Sequence, residues 1–302
     1  IEKPKKKTTE EIYMTVPAKY VTLSNGLLIS RKKNADGTRT DYWKMDLPHA
    51  PYLFFMGVGE YSIIKDSYKG KEVSYYVEKE YAPVARAIFG HTPEMIKFYS
   101  EKLGVDFPWQ KYSQIVGRDY VSGAMENTTA TLHQESAYQN ARELVDGIGW
   151  ESTIAHELFH QWFGDLVTAE SWSQITVNES FANYSETLWA EYKYGKDDGD
   201  DQNYTDMQGY LRGPGNSSKD LVRFHYADKE DVFDGVSYNK GGRILHMLRN
   251  YVGDDAFFKS LNKYLTNNKF KAGEAGNLRL AFEEVTGKDM NWFWNQWFYG
   301  SG

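Results

Sequence analysis

The chain has 302 residues, a formal net charge of −7 and no cysteine. That length allows one large or two modest domains with a real core, while the acidic balance argues against a nucleic-acid partner, because phosphate binding needs a basic face. Without cysteine there are no disulfides and no thiolate ligands, so a bound zinc would need His and carboxylate donors. No apolar run approaches a membrane span, and both a cytoplasmic and an exported parent fit the composition.

The chain starts at Ile1, not Met, without a signal-peptide pattern, which reads as an excised piece of a longer protein. Lys3, Lys5, Lys6 and Lys7 read as a solvated tail. Short β-like runs follow at Ile12–Val16, Tyr20–Leu23, Leu27–Ser30 and Tyr42–Met45. Asn25-Gly26 between two of them predicts a hairpin. Tyr52–Gly57 reads as a buried strand leading into Tyr61–Ile64. This all-β stretch is too short to close a sandwich alone, so residues 1–66 are expected to be the C-terminal portion of an N-terminal β domain.

Beyond Asp66–Gly70 the texture changes. Val73–Val77 and Tyr112–Val116 read as strands around a helix that Thr92 caps, Pro93 opens and Gly104 ends. A second helix, expected from about Ala141, carries His156-Glu157-Leu158-Phe159-His160, with Gly164 as its stop. A third is expected after Asn178 as cap and runs to Tyr194-Gly195. Lys196–Asp201 reads as a solvated acidic loop, since its spacing is not that of a calcium loop. From Asn203 the periodicity is helical, with breaks at Gly213–Asn216, Gly253 and Gly287. The aromatic run Trp292–Phe298 must pack on something.

Histidines four apart share one helix face, so His156 and His160 can reach one ion. Glu179, with eighteen residues between it and His160, would add an oxygen ligand and leave the fourth tetrahedral position to water. Such a pattern also arises by accident on amphipathic helices. Here Ile154, Ala155, Leu158, Phe159, Trp162 and Phe163 would bury the helix on most sides, and buried His and Glu need partners. A metal supplies them. Glu186, two turns beyond Glu179, reads equally as a residue that orients a ligand histidine and as a plain carboxylate.

Three elements in the same order give the chain a resemblance to the gluzincin aminopeptidases, the aminopeptidase N and leukotriene A4 hydrolase family. They are Gly123-Ala124-Met125-Glu126-Asn127, the His156/His160 motif with Glu179, and Tyr238-Asn239-Lys240-Gly241. Phe107-Pro108-Trp109 and Gln161-Trp162-Phe163-Gly164 are weaker echoes of the same family. One departure is Thr176-Val177-Asn178-Glu179-Ser180, where family members read tryptophan-leucine-asparagine-glutamate-glycine.

The resemblance implies an α+β fold. Residues 67–302 would form a thermolysin-like catalytic domain, a mixed sheet packed on a largely helical lobe, and the family's C-terminal helical domain would be absent from this chain. It further implies one Zn2+ per chain on His156, His160 and Glu179, and Glu157 as the base that activates water. Tyr238 would be a hydrogen-bond donor to the carbonyl oxygen under attack. Glu126, with Gly123, Ala124, Met125 and Asn127, would bind a peptide substrate through its free N-terminus. From sequence alone Tyr238 is one of 23 tyrosines. The same resemblance leaves epoxide hydrolysis open, and a metalloendopeptidase is a further alternative.

Overall fold

A computed structural model describes residues 4–301. The chain divides into two compact units. One comprises residues 7–97 and 107–161, the other residues 98–106 and 162–301 with the described N-terminal residues 4–6.

The first unit is mostly β. Strands β1 (Thr8–Pro17), β2 (Val21–Ser24), β3 (Leu27–Lys33), β4 (Thr38–His49) and β5 (Met56–Gly59) form a three-stranded sheet ordered β1-β4-β3 and a two-stranded sheet β2-β5. Strands β6 (Tyr61–Tyr68), β7 (Lys71–Glu78), β8 (Tyr112–Gly117), β9 (Ala124–Met125) and β10 (Ala130–Gln134) form a five-stranded sheet ordered β6-β7-β8-β10-β9. That sheet is mixed: β7/β8 and β8/β10 are parallel, β6/β7 and β10/β9 antiparallel. One core joins the three sheets, built from Met14, Val16, Leu23, Trp43, Tyr76, Ile115 and Ala130. The two-residue alternation of β4 supplies part of it, turning Arg39, Asp41, Trp43 and Met45 inward. Buried Asp41 is matched there by Arg39 and by the Thr22 hydroxyl at 2.6 Å.

Helices α1 (Ala85–Phe89) and α2 (Thr92–Leu103) come between β7 and β8 in the chain, and α3 (Glu151–Phe159) follows β10. Gly104, at φ +60°, ends α2 as expected. Thr92, however, opens α2 as a helical residue, and its hydroxyl donates to Phe89 O at 2.7 Å. The second unit is helical, with α4 (Thr176–Lys193), α5 (Lys196–Arg212), α6 (Gly241–Val252), α7 (Asp254–Asn268), α8 (Ala275–Thr286) and α9 (Asn291–Trp297). Its strands β11 (Val167–Ala169) and β12 (Lys271–Gly273) pair in parallel. Gly253 and Gly287 sit at helix ends with positive φ, and the aromatic run does pack, Trp294 stacking on Phe298 at 4.8 Å. Within this unit Lys5 pairs with Glu170, so the lysine-rich start is not wholly a solvated tail; Lys3 lies outside the described residues.

Five local expectations are corrected. Asn25-Gly26 is not a hairpin turn, because the strands on either side belong to different sheets. It is a corner. Asn25 Nδ2 donates to Leu53 O at 3.0 Å and Thr128 O at 2.7 Å, and its Oδ1 accepts from Phe55 N at 2.7 Å. Gly26 has φ +72°, and a Cβ there would lie 2.0 Å from Lys44 O. Tyr52–Gly57 is a 3-10 turn (Pro51–Leu53) and a short strand whose Met56 is 65% exposed. The metal-motif helix starts at Glu151, ten residues later than expected. Asn178 lies inside α4, where its side chain accepts from Ala169 N at 3.1 Å. The acidic segment is the first turn of α5: Asp197 and Asp198 face the positive helix end, and Lys196 pairs with Asp200 one turn on.

The corner supports a stability prediction. Asn25→Ala removes three hydrogen bonds at once, two of them fully buried, and is expected to destabilise the fold by about 2–4 kcal/mol. A denaturant midpoint equal to that of the unsubstituted chain would show that the corner is held by other contacts.

Candidate active site

The β-rich unit carries two of the expected elements. His156 and His160 occupy one face at the C-terminal end of α3, with ring centroids 4.9 Å apart. His160 is the residue at which the helix stops, its N–H still donating to His156 O at 3.3 Å. The start of α3 is pinned as well. Trp150 Nε1 donates to His133 Nδ1 at 3.1 Å, and His133 Nε2 lies 2.9 Å from Gln114 Oε1. Burial holds the His133 imidazole neutral, pulling its pKa down to about 3. Next to Trp150, Glu151 Oε1 meets His91 Nδ1 at 2.5 Å.

The Gly123–Asn127 motif lies at the edge of the five-stranded sheet. Ala124 and Met125 are β9, opposite His133 and Leu132. Glu126 and Asn127 then turn into the buried interior. Carboxylate oxygens of Glu126 and Glu157 and a ring nitrogen of His160 all lie within 4.8 Å of one another, and all three residues are buried. Tyr52 Oη donates to Glu126 Oε1 across 3.4 Å. Tyr120, half-buried, is close by: burial, and after it the charges of Glu126 and Glu157, hold its phenol above the ordinary range.

Gln161 is what ties motif to motif. Its Nε2 donates to Glu126 O at 3.2 Å, and its Oε1 accepts from Thr129 N at 3.0 Å. Lys111 braces the same turn, donating to Thr129 O at 2.7 Å and Ser24 O at 3.1 Å, with its ammonium pulled down by burial to about 7. Neither Lys111 nor Tyr120 stands out in the sequence. A buried lysine and a tyrosine carry no pattern until the fold surrounds them.

The helical unit carries Glu179 and the Tyr238 element. Glu179 lies in the first turn of α4 and is buried. Tyr238, half-buried, lies in a π-helical turn, Val236–Lys240, directly before α6. Such turns are rare and concentrate at functional sites. Ser180 explains the departure noted beside Glu179. Its hydroxyl donates to Ser237 O at 2.7 Å and occupies the space over Gly241, where a Cβ would come within 1.8 Å of it. The serine therefore links the Glu179 helix to the Tyr238 turn. Two buried imidazoles one helical turn apart, beside the buried carboxylates of Glu126 and Glu157 and with no cysteine in the chain, are donors of the kind that suit zinc.

The sequence model described as Peptidase family M1 domain matches residues 88–297. Aminopeptidase N of Streptomyces lividans is 30% identical over 321 residues, covering 100% of this chain and 36% of that protein. Aminopeptidase M1 of Arabidopsis thaliana is 29% identical over 314 residues, 98% of this chain and 34% of that protein. The crystal structure of Legionella pneumophila aminopeptidase A in complex with aspartic acid shares the fold, with a TM-score of 0.86 at 22% identity, covering 100% of this chain and 35% of that one. The chain thus spans about a third of the length of the curated relatives it matches.

Proposed function

The chain belongs to peptidase family M1, a zinc-dependent metallopeptidase family, and from that premise we propose that it is the catalytic part of a zinc aminopeptidase. The observation that carries the reading is the meeting of Glu126 with Glu157 and His160 at the end of α3. A carboxylate from the sheet edge beside the metal-motif helix gives a free α-ammonium its counter-charge where a peptide would be cut.

His156, His160 and Glu179 would hold one zinc ion, and the ion, when bound, would polarise the scissile carbonyl and acidify a water molecule. Glu157 takes the proton from that water and hands it to the leaving amine. Tyr238 donates a hydrogen bond to the carbonyl oxygen as negative charge builds there. Glu126 binds the ammonium. Gly123 and Ala124 offer backbone groups to the peptide as an added strand, with Met125 and Asn127 shaping that edge. We also propose that residues 1–66 are the C-terminal portion of an N-terminal β domain and residues 67–302 a thermolysin-like catalytic domain. No helix among the described residues is long and apolar enough to cross a membrane. No observation favours the epoxide-hydrolase or endopeptidase alternative.

Elemental analysis should find about one zinc per chain. On matched peptides with free and acetylated N-termini, the free peptide is expected to be cleaved preferentially. Glu126→Ala is expected to remove most of that preference, lowering kcat/KM for the free peptide by about 10- to 100-fold, the worth of one charged hydrogen bond. Equal cleavage of both peptides by the unsubstituted chain would point to an endopeptidase instead.

A further inference from the structure

The segment before Tyr238 is held by more polar contacts than a connecting turn needs. Asp234 Oδ1 accepts from the backbone N–H groups of Val236 at 3.0 Å and Ser237 at 3.2 Å, the first residues of the π-turn. The same carboxylate takes both ends of the Arg223 guanidinium, Nη1 at 2.7 Å and Nη2 at 3.0 Å, and Lys219 Nζ at 2.8 Å. Arg223 Nη2 also donates to Ser237 Oγ at 2.8 Å and to Val232 O at 3.0 Å. Asp234 O accepts from the Tyr238 N–H at 3.1 Å. Burial alone would raise the Asp234 carboxyl, but the hydrogen bonds from Arg223 and Lys219 outweigh it and hold the group below its ordinary range. It is a charged acceptor at neutral pH.

A π-turn has five-residue hydrogen bonding and one residue more per turn than its neighbours prefer, so it persists only where its ends are fixed. Here Asp234 fixes the N-terminal end, while Ser180 holds Ser237 from the helix that carries Glu179. We propose that Asp234 and Arg223 are positioning residues for Tyr238: their bidentate ion pair sets the π-turn and thereby the direction of the Tyr238 hydroxyl. This rests on the reading of Tyr238 as the donor to the reacting carbonyl oxygen. A bidentate guanidinium–carboxylate pair suits the task because it defines a plane as well as a distance.

The test is a double-mutant cycle on the zinc-loaded full chain. Asp234→Asn keeps the size and one acceptor of the side chain but loses the charge. It is expected to lower kcat about tenfold or more, since a small misplacement of a donor is costly, with KM and zinc content little changed. In a Tyr238→Phe background, with no hydroxyl left to aim, the same substitution should change kcat by no more than about twofold. Equal losses in both backgrounds, or no loss in either, would overturn the clamp while leaving Tyr238 its role. A fully active Tyr238→Phe would instead remove the premise, and the two failures are distinct. Should Asp234→Asn not fold, Arg223→Lys, which keeps the charge without the planar fork, runs the same cycle. Failure of both to fold would make the pair a fold element and overturn the proposal as well.

Discussion

Glu157→Gln is expected to leave the fold and zinc content intact while lowering kcat by a factor of about 10² to 10⁴, the usual worth of a positioned base. The substitution is nearly isosteric, and Glu157 is buried on a nine-residue helix whose start is pinned by Trp150 and Glu151. An amide there fills the same space and keeps hydrogen-bonding capacity, but it cannot take a proton from water at neutral pH. His156 and His160 are untouched, so metal affinity has no reason to fall greatly. Steady-state turnover of an aminoacyl anilide, read beside elemental analysis of the same preparations, separates the two effects. Retained turnover in the glutamine variant would show that Glu157 is not the base. Lost turnover together with lost zinc would show that the residue supports the metal instead.

Tyr238→Phe is expected to lower kcat by about 10²- to 10³-fold with little change in KM, because its hydroxyl strengthens its bond only as charge develops on the substrate oxygen. The aromatic ring remains, and Asp234 and Ser180 still hold the π-turn. A parallel rise in KM with unchanged kcat would assign Tyr238 to ground-state binding of the peptide. Wild-type kinetics would mean that a donor outside this turn stabilises the transition state.

Local spacing carried the parts of this protein that a single element can encode. His156 and His160 share a helix face whatever the rest of the chain does, because four residues are close to one turn. Gly104, Gly253 and Gly287 end helices for an equally local reason, the freedom of glycine to take positive φ. Even so, Asn25-Gly26 has the composition of a hairpin and serves as a corner. Its amide finds stronger partners in Leu53, Phe55 and Thr128 than in a neighbouring strand. The segment beginning at Lys196 looks like a loop by charge yet is helical, because a helix N-terminus stabilises acids there.

By itself the sequence determined the family and the helix that presents the two histidines, both of which depend on residue type and short spacing. Only the tertiary structure decided what holds those groups in place. Gln161 and Lys111 brace the turn after Glu126, and Tyr120 comes up beside Glu126 and Glu157. Asp234 and Arg223 fix the turn of Tyr238. Each depends on backbone groups or charges brought together from distant stretches, and hydrogen bonds to backbone leave no trace in side-chain pattern. Burial then does the rest, because a polar group removed from water must find a partner wherever the fold provides one.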